Sequence, residues 1–224
     1  VLIDDSMPTR AEISAVADPL GWRLILGVLT AHVPAHSLRA AVDIAREAVD
    51  AADGGDGHLS LDLHTDRVVL RLHNTDAGAV TGHEVRLARQ ISAAVPTMPG
   101  DTTAVPQAME IAIDALDIAK VRPFWQAVTG YIDEPGPSDL PEGALIDPLR
   151  RGPAIWFQQM ESPRPQRNRI HLDVDIAPEH AQARIRAALA AGGTLLSDSA
   201  APAWWVLADP EGNEACICTW QGRD

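Results

Sequence analysis

The chain has 224 residues, 46% of them hydrophobic, which is apolar mass for one large or two small cores. Its formal net charge of -13 argues against a nucleic-acid or anionic-membrane surface, and the short basic clusters Arg150-Arg151 and Arg164 to Arg169 do not reverse that. No apolar run is long enough to span a bilayer and no signal-peptide pattern opens the chain; Cys216 and Cys218, two apart on one strand, are poorly placed to bridge, so reduced thiols in a cytoplasm are expected.

Taken in order, residues 1 to 8 read as an arm. Thr9 to Leu20 reads as a helix: Thr9 caps it, Glu12 follows three later as in a capping box, and Ile13, Val16 and Leu20 recur at helical spacing. Gly21-Trp22 ends it. Arg23 to Val33, rich in Leu, Ile and Val, reads as one strand before Pro34. Ser37 to Ala52 is the clearest helix of the first half, with Leu38, Ala41, Val42, Ala45, Ala48, Val49 and Ala52 in one stripe. The glycine-rich segment from Asp53 to Gly57 stops it. His58 to His64 and Arg67 to Asn74 alternate and read as a hairpin about Thr65-Asp66. Thr81-Gly82-His83-Glu84 is a second capping box, opening a helix to Ala94. Residues 96–106, with three prolines and a glycine, are placed as a linker between two domains, 1–95 and 107–224.

The second domain is organised around two alternating stretches. In Arg169 to Asp175, Ile170, Leu172 and Val174 share one face of a strand; His171, Asp173 and Asp175 share the other. In Met109 to Ala115, Glu110 and Asp114 stand opposite Met109, Ile111, Ile113 and Ala115. A helix follows each stretch: Asp117 to Val128, with Pro123 inside it, and Pro178 to Ala191, closed by Gly192-Gly193. Strands are expected at Ala144 to Leu149, Ala154 to Met160, Thr194 to Ser197, Trp204 to Ala208 and Glu214 to Trp220, with a turn-rich segment from Ile132 to Pro141. Each half thus reads β-α-β-β-β, an internal repeat whose polar faces meet. The fold class is α+β throughout: a helix-covered antiparallel sheet, then the paired modules.

The order helix, strand, helix, hairpin, helix over residues 9–95 resembles the pterin-4a-carbinolamine dehydratase family. Trp22 sits where that family has a Trp after its first helix. Asn74 to Thr81 is similar to its Thr-His-Asp-x-Gly-Gly-Leu-Thr segment, and Val85-Arg86-Leu87-Ala88 to the Asp-Ile-x-Leu-Ala that follows. The resemblance implies association through helices into a homo-oligomer, and dehydration of a pterin-4a-carbinolamine by histidines that move protons on and off the substrate. Those positions carry over in part. The family's His-His-Pro run falls on Gly57-His58-Leu59, its next histidine on Thr75, and its helix Asp on Glu84. His58 and Glu84 are therefore the candidate catalytic residues, and Glu84 has a structural role as a helix cap beside it. Loss of chemistry, leaving a binding or assembly module, is the competing expectation.

Residues 107–220 resemble the glyoxalase-like branch of the vicinal oxygen chelate superfamily. The resemblance rests on Phe124-Trp125 through Val128-Thr129-Gly130, on Asn168 to Asp173, and on Asp209-Pro210-Glu211-Gly212-Asn213-Glu214. It implies an open cup for a small-molecule substrate, with a divalent metal (Zn, Mn, Ni, Co or Fe) at its floor. The implied ligand positions fall on Glu110, Gln158, His171 and Glu214. Such a metal can chelate adjacent substrate oxygens and stabilise an enediolate, or activate water or dioxygen, in lyase, isomerase or dioxygenase-type chemistry. Trp156, Trp204 and Trp205 are the candidate substrate-binding walls. Asp173 is a candidate catalytic base or a partner that orients His171. Cys216 and Cys218, on the face of Glu214, read first as packed small hydrophobes and second as extra ligands. A strand bearing a histidine and two acids as a solvated edge is the plain alternative.

Overall fold

The computed structural model describes residues 7–53, 55–95, 106–135, 143–163, 166 and 170–222. The chain divides after Ala108 into two compact units. Apart from Pro106, the expected linker lies outside the described residues, as does most of the basic loop from Arg164 to Arg169.

The first unit is a four-stranded antiparallel sheet covered by helices. Helix α1 (Arg10–Ala17) starts at a complete capping box: the Thr9 amide donates to Glu12 Oε2 at 2.8 Å and the Glu12 amide donates to the Thr9 hydroxyl. A short 3₁₀ turn, Asp18–Leu20, ends at Gly21, whose φ of 88° closes the helix. Strands β1 (Arg23–Ile25), β2 (Val28–Pro34), β3 (Leu59–Leu63) and β4 (Arg67–Leu72) lie in the order β1-β2-β4-β3. Alternation sends Leu29, Ala31 and Val33 of β2, and Val68, Leu70 and Leu72 of β4, into the core. There they meet Ile13 and Ala17 of α1 and Val85, Ala88 and Ile91 of α3 (Gly82–Ala94). Trp22 is fully buried, and its indole N–H donates to the Ser92 hydroxyl at 2.8 Å.

Two features of this unit differ from the sequence reading. The run Arg23 to Val33 is a hairpin rather than one strand. Leu26 (φ 46°) and Gly27 (φ 72°) both take left-handed backbone, the combination a two-residue hairpin turn needs. The stripe on helix α2 (Leu38–Ala51) is split. Ala41, Ala45 and Ala48 are buried, while Leu38, Val42 and Val49 remain about half exposed. Alanines at the contact let the helix sit close to the sheet, and the wider apolar arc is left outside it.

The second unit contains the same module twice. The first module runs β5 (Glu110–Ala115), α4 (Ile118–Thr129), β6 (Ile132–Asp133), β7 (Leu145–Ile146), β8 (Ala154–Gln159). The second runs β9 (Leu172–Asp175), α5 (Pro178–Ala190), β10 (Thr194–Ser197), β11 (Trp204–Ala208), β12 (Glu214–Cys218). The sheets have matching orders, β5-β8-β7-β6 and β9-β12-β11-β10, and in each the first and last strands pair in parallel while the others are antiparallel. One core serves both modules: Ile113, Phe124, Trp125, Val128, Ile155 and Phe157 from the first, Ile185, Trp205, Leu207, Ala215 and Ile217 from the second. Pro123 stays inside α4 and removes one ladder donor without ending the helix. Arg184 of α5 donates to the Val128 carbonyl at 3.0 Å, which satisfies an acceptor left over at the end of α4.

Candidate functional site

Alternation aims the helix-facing residues of β5, β9 and β12 into the core and leaves the other face polar. On β12 that face carries Glu214, Cys216 and Cys218; on β9 it carries Asp173 and Asp175, with His171 just before the strand. Parallel pairing sets Cys216 level with Asp173, so Glu214, two residues earlier, falls level with His171. His171, Asp173 and Cys216 offer a ring nitrogen, a carboxylate oxygen and a sulfur, all within 4.8 Å of one another. His171 Nδ1 lies 3.1 Å from Asp173 Oδ1 and 3.5 Å from Cys216 Sγ. The histidine and aspartate are about half exposed and the cysteine is buried. Burial first, then the hydrogen bond and charge of Asp173 with smaller contributions from Cys218 and Glu214, pushes the Cys216 thiol up to about 12.

This donor set suits a borderline divalent ion. An imidazole, a carboxylate and a thiol on neighbouring strands could offer three ligands to one ion. The thiol must lose its proton to ligate, so binding would release that proton.

A cavity of about 890 Å³ opens beside the cluster. Ile111, Asp114 and Trp125 of the first module line it, with His171, Leu172 and Glu214 of the second. The turn Pro210 to Asn213 closes one side. That turn is held by a buried carboxylate. Asp209, 3% exposed, accepts from the Glu211 and Asn213 amides, from Asn213 Nδ2 and from the Trp125 indole at 3.0 Å. Glu211 caps the other module: its two oxygens accept from the Leu116 and Asp117 amides at 2.8 and 2.7 Å, at the start of α4. The Phe-Trp and Asp-Pro-Glu-Gly-Asn motifs are therefore two halves of one structural clasp between the modules.

The expected metal set is not brought together as a group. Glu110 pairs with Ala154, whereas Gln158 pairs with Asp114, which separates Glu110 from Gln158 by four residues, about 13 Å along the sheet. His171 and Glu214 do line the cavity, and Asp114 rather than Glu110 is the acid of β5 that joins them. Cys216, read from the sequence first as a packed small hydrophobe, meets His171 Nδ1 at 3.5 Å. The signal was there in the equal parity of 214, 216 and 218, but parity alone cannot choose the level. Of the tryptophans, Trp205 faces the core, 8% exposed, because its neighbour Trp204 takes the opposite face; Trp204 is level with Cys218. Trp156 is half-buried on the polar face of β8, level with Ala112. The cavity wall is instead aromatic at Trp125.

The first unit brings its two candidate residues into contact. His58 Nδ1 lies 2.5 Å from Glu84 Oε1, and Glu84 is fully buried. Its other oxygen accepts from the Thr81 amide and hydroxyl at 2.6 and 2.7 Å. Burial alone would raise the Glu84 carboxyl; the hydrogen bonds from Thr81, from its own amide and from His58 outweigh it and hold the group below its ordinary value. The carboxylate is therefore held in its ionised, accepting form, and His58 donates to it from Nδ1. Thr75, at the third expected position, donates its hydroxyl proton to the Gly57 carbonyl at 3.2 Å.

Residues 110–218 match the model of the glyoxalase-like domain, and the paired βαβββ topology of the second unit is that of the vicinal oxygen chelate superfamily. Among solved structures, the chain is similar to a glyoxalase/bleomycin resistance protein/dioxygenase family enzyme from Burkholderia phytofirmans PsJN, at 22% identity over 49% of this chain and 95% of that one, TM-score 0.37. It is similar to the fosfomycin resistance protein FosX of Listeria monocytogenes complexed with Mn(II) and sulfate, at 11% identity over 52% and 91%, TM-score 0.40. A transcriptional coactivator/pterin dehydratase from Brucella melitensis is similar at 20% identity over 40% of this chain and 99% of that one, TM-score 0.36. No curated protein matches the sequence. Among the described residues, no helix is long and apolar enough to cross a membrane.

Proposed function

We propose that the second unit acts on a small molecule in its cavity, beside a divalent cation held by His171, Asp173 and Cys216, in lyase, isomerase or dioxygenase-type chemistry. The observation that carries this reading is His171 itself, which both lines the cavity and belongs to the nitrogen–oxygen–sulfur cluster. A cation there would supply Lewis-acid polarisation of adjacent substrate oxygens. The chain's own contributions are distinct from that. Glu214 and Asp114 place carboxylates on the cavity wall within reach of substrate protons, and the Asp209 clasp keeps the turn closed against water. Residues 1–95 are read as a dehydratase-like domain joined through 96–106 to a glyoxalase-like domain at 107–224. Free Cys216 and Cys218 support a cytoplasmic setting, and the exposed Leu38, Val42 and Val49 on α2 support a homo-oligomer. The test is thermal unfolding of the chelator-treated full chain with added Zn, Mn, Ni, Co or Fe(II). A ligand at about 100 times its Kd stabilises by about 2.7 kcal/mol. The reading expects such a rise in melting temperature with at least one ion, and its loss in His171→Ala; equal shifts in both proteins would count against it.

A second reading is carried by the His58–Glu84 contact: dehydration of a pterin-4a-carbinolamine in the first unit, with His58 as base and Glu84 orienting it. A carbinolamine dehydration assay on the full chain tests it. Turnover should fall about 10²-fold or more in His58→Ala, and activity unchanged in that variant would remove His58 from the reaction.

A further inference from the structure

The ligand set implied by the resemblance, one imidazole among oxygens, suits manganese and iron as well as zinc. The cluster that the fold assembles is different, because one of its three donors is sulfur. We propose that Cys216 is the residue that decides which ion the second unit holds: with its thiolate in place the site takes a thiophilic ion, zinc first, and turns manganese and magnesium away. This rests on the metal reading of the second unit given above.

The spacing of the donors fits zinc. His171 Nδ1 lies 3.1 Å from Asp173 Oδ1 and 3.5 Å from Cys216 Sγ. Around a tetrahedral zinc, with nitrogen and oxygen at about 2.1 Å and sulfur at about 2.3 Å, the corresponding separations are about 3.4 Å and about 3.6 Å. A carboxylate and a thiolate also bring two negative charges, which balance a divalent ion. Magnesium and manganese are held by carboxylate, carbonyl and water oxygens, and of these three residues only Asp173 offers oxygen.

Burial works in the same direction. Cys216 is 4% exposed, whereas His171 and Asp173 are about half exposed. Sulfur therefore forms the floor of the cluster and the other two donors its rim. Magnesium gives up its water reluctantly and gains little from a dry, soft floor. The second thiol does not share this role. Cys218 is level with Asp175 rather than Asp173, two residues further along the strands, and the three-donor group found among the described residues contains Cys216 and not Cys218.

The test uses the chelator-stripped full chain. Cobalt(II), a spectroscopic stand-in for zinc, should give a sulfur-to-cobalt charge-transfer band in the near ultraviolet, kept in Cys218→Ser and lost in Cys216→Ser. The wild-type spectrum needs no variant, so it decides even where a substitution unfolds the chain. Equilibrium dialysis against zinc and manganese in competition then measures the preference between them. Zinc outranks manganese at most nitrogen, oxygen and sulfur sites, so the change on substitution is the informative quantity. Cys216→Asp, which puts an oxygen donor in place of sulfur, should narrow the zinc-over-manganese preference by about 100-fold or more, beyond what disturbing an outer-sphere partner costs. Cobalt bound to the wild type without that band, a band that follows Cys218 instead, or an unchanged preference in Cys216→Asp overturns the role of Cys216 and leaves the metal reading standing. A wild type that holds none of these ions overturns the metal reading itself.

Discussion

Asp209→Ala removes the centre of the clasp between the two modules. The carboxylate is 3% exposed and accepts four hydrogen bonds, one of them from the indole of Trp125, itself 2% exposed. Truncation strands that buried indole N–H, at about 1–3 kcal/mol, and releases the turn amides to solvent, where they lose less. The expected total is about 3 kcal/mol, a large part of the stability of a unit this size. With a urea m-value of about 2 kcal/mol/M, the midpoint falls by about 1.5 M. Trp125→Phe removes the donor but leaves Asp209 its turn partners, so it should cost about 1 kcal/mol through the hydrogen bond. The double variant should cost clearly less than the sum, because the stranded donor is gone. Urea unfolding of the four proteins by circular dichroism measures this. A cost for Asp209→Ala below 1 kcal/mol, or strict additivity with Trp125→Phe, would refute the role given to the clasp.

Three other outcomes follow from single contacts. Gly193→Ala would drive its Cβ into the Phe124 ring and to 2.9 Å from the Ala188 carbonyl, so urea unfolding should show a loss of about 1–3 kcal/mol. Ser92→Ala leaves the buried Trp22 indole N–H without its acceptor and should cost about 1–3 kcal/mol by the same assay, whereas Ser92→Thr should retain most of the stability. Glu84, held below its ordinary 4.5, gives stability that is present above that value and lost as pH falls through the lowered one, since the unfolded chain takes up the proton first. Acid unfolding of Glu84→Gln should therefore be flatter below pH 4.5 than that of the wild type, and parallel curves would contradict the assignment.

The elements that could be read from the chain are those in which pattern and packing agree. The alternation read from Met109 to Ala115 survives as β5 from Glu110, and that read from Arg169 to Asp175 survives as β9 only from Leu172, with Met109 and Ile170 exposed before the strands; both capping boxes form as spelled. The hairpin at Leu26-Gly27 was hidden because its residues are apolar through the turn; Gly27 was the available sign. The site was legible only to the level of a face. Alternation says that Glu214, Cys216 and Cys218 look the same way; the register sets Glu214 level with His171 and Cys216 level with Asp173, and the His171 ring then reaches diagonally to Cys216, a contact that neither strand's pattern encodes.

The most direct measurement is metal content by elemental analysis after equilibrium dialysis of the chelator-stripped full chain, its Cys216→Ser variant and its Glu110→Ala variant against Zn(II). The account predicts about one tightly held ion per chain in the wild type and in Glu110→Ala, and a marked loss in Cys216→Ser, where a hard hydroxyl replaces the thiolate. No stoichiometric ion in the wild type, or an ion that survives Cys216→Ser and departs with Glu110→Ala, would contradict it.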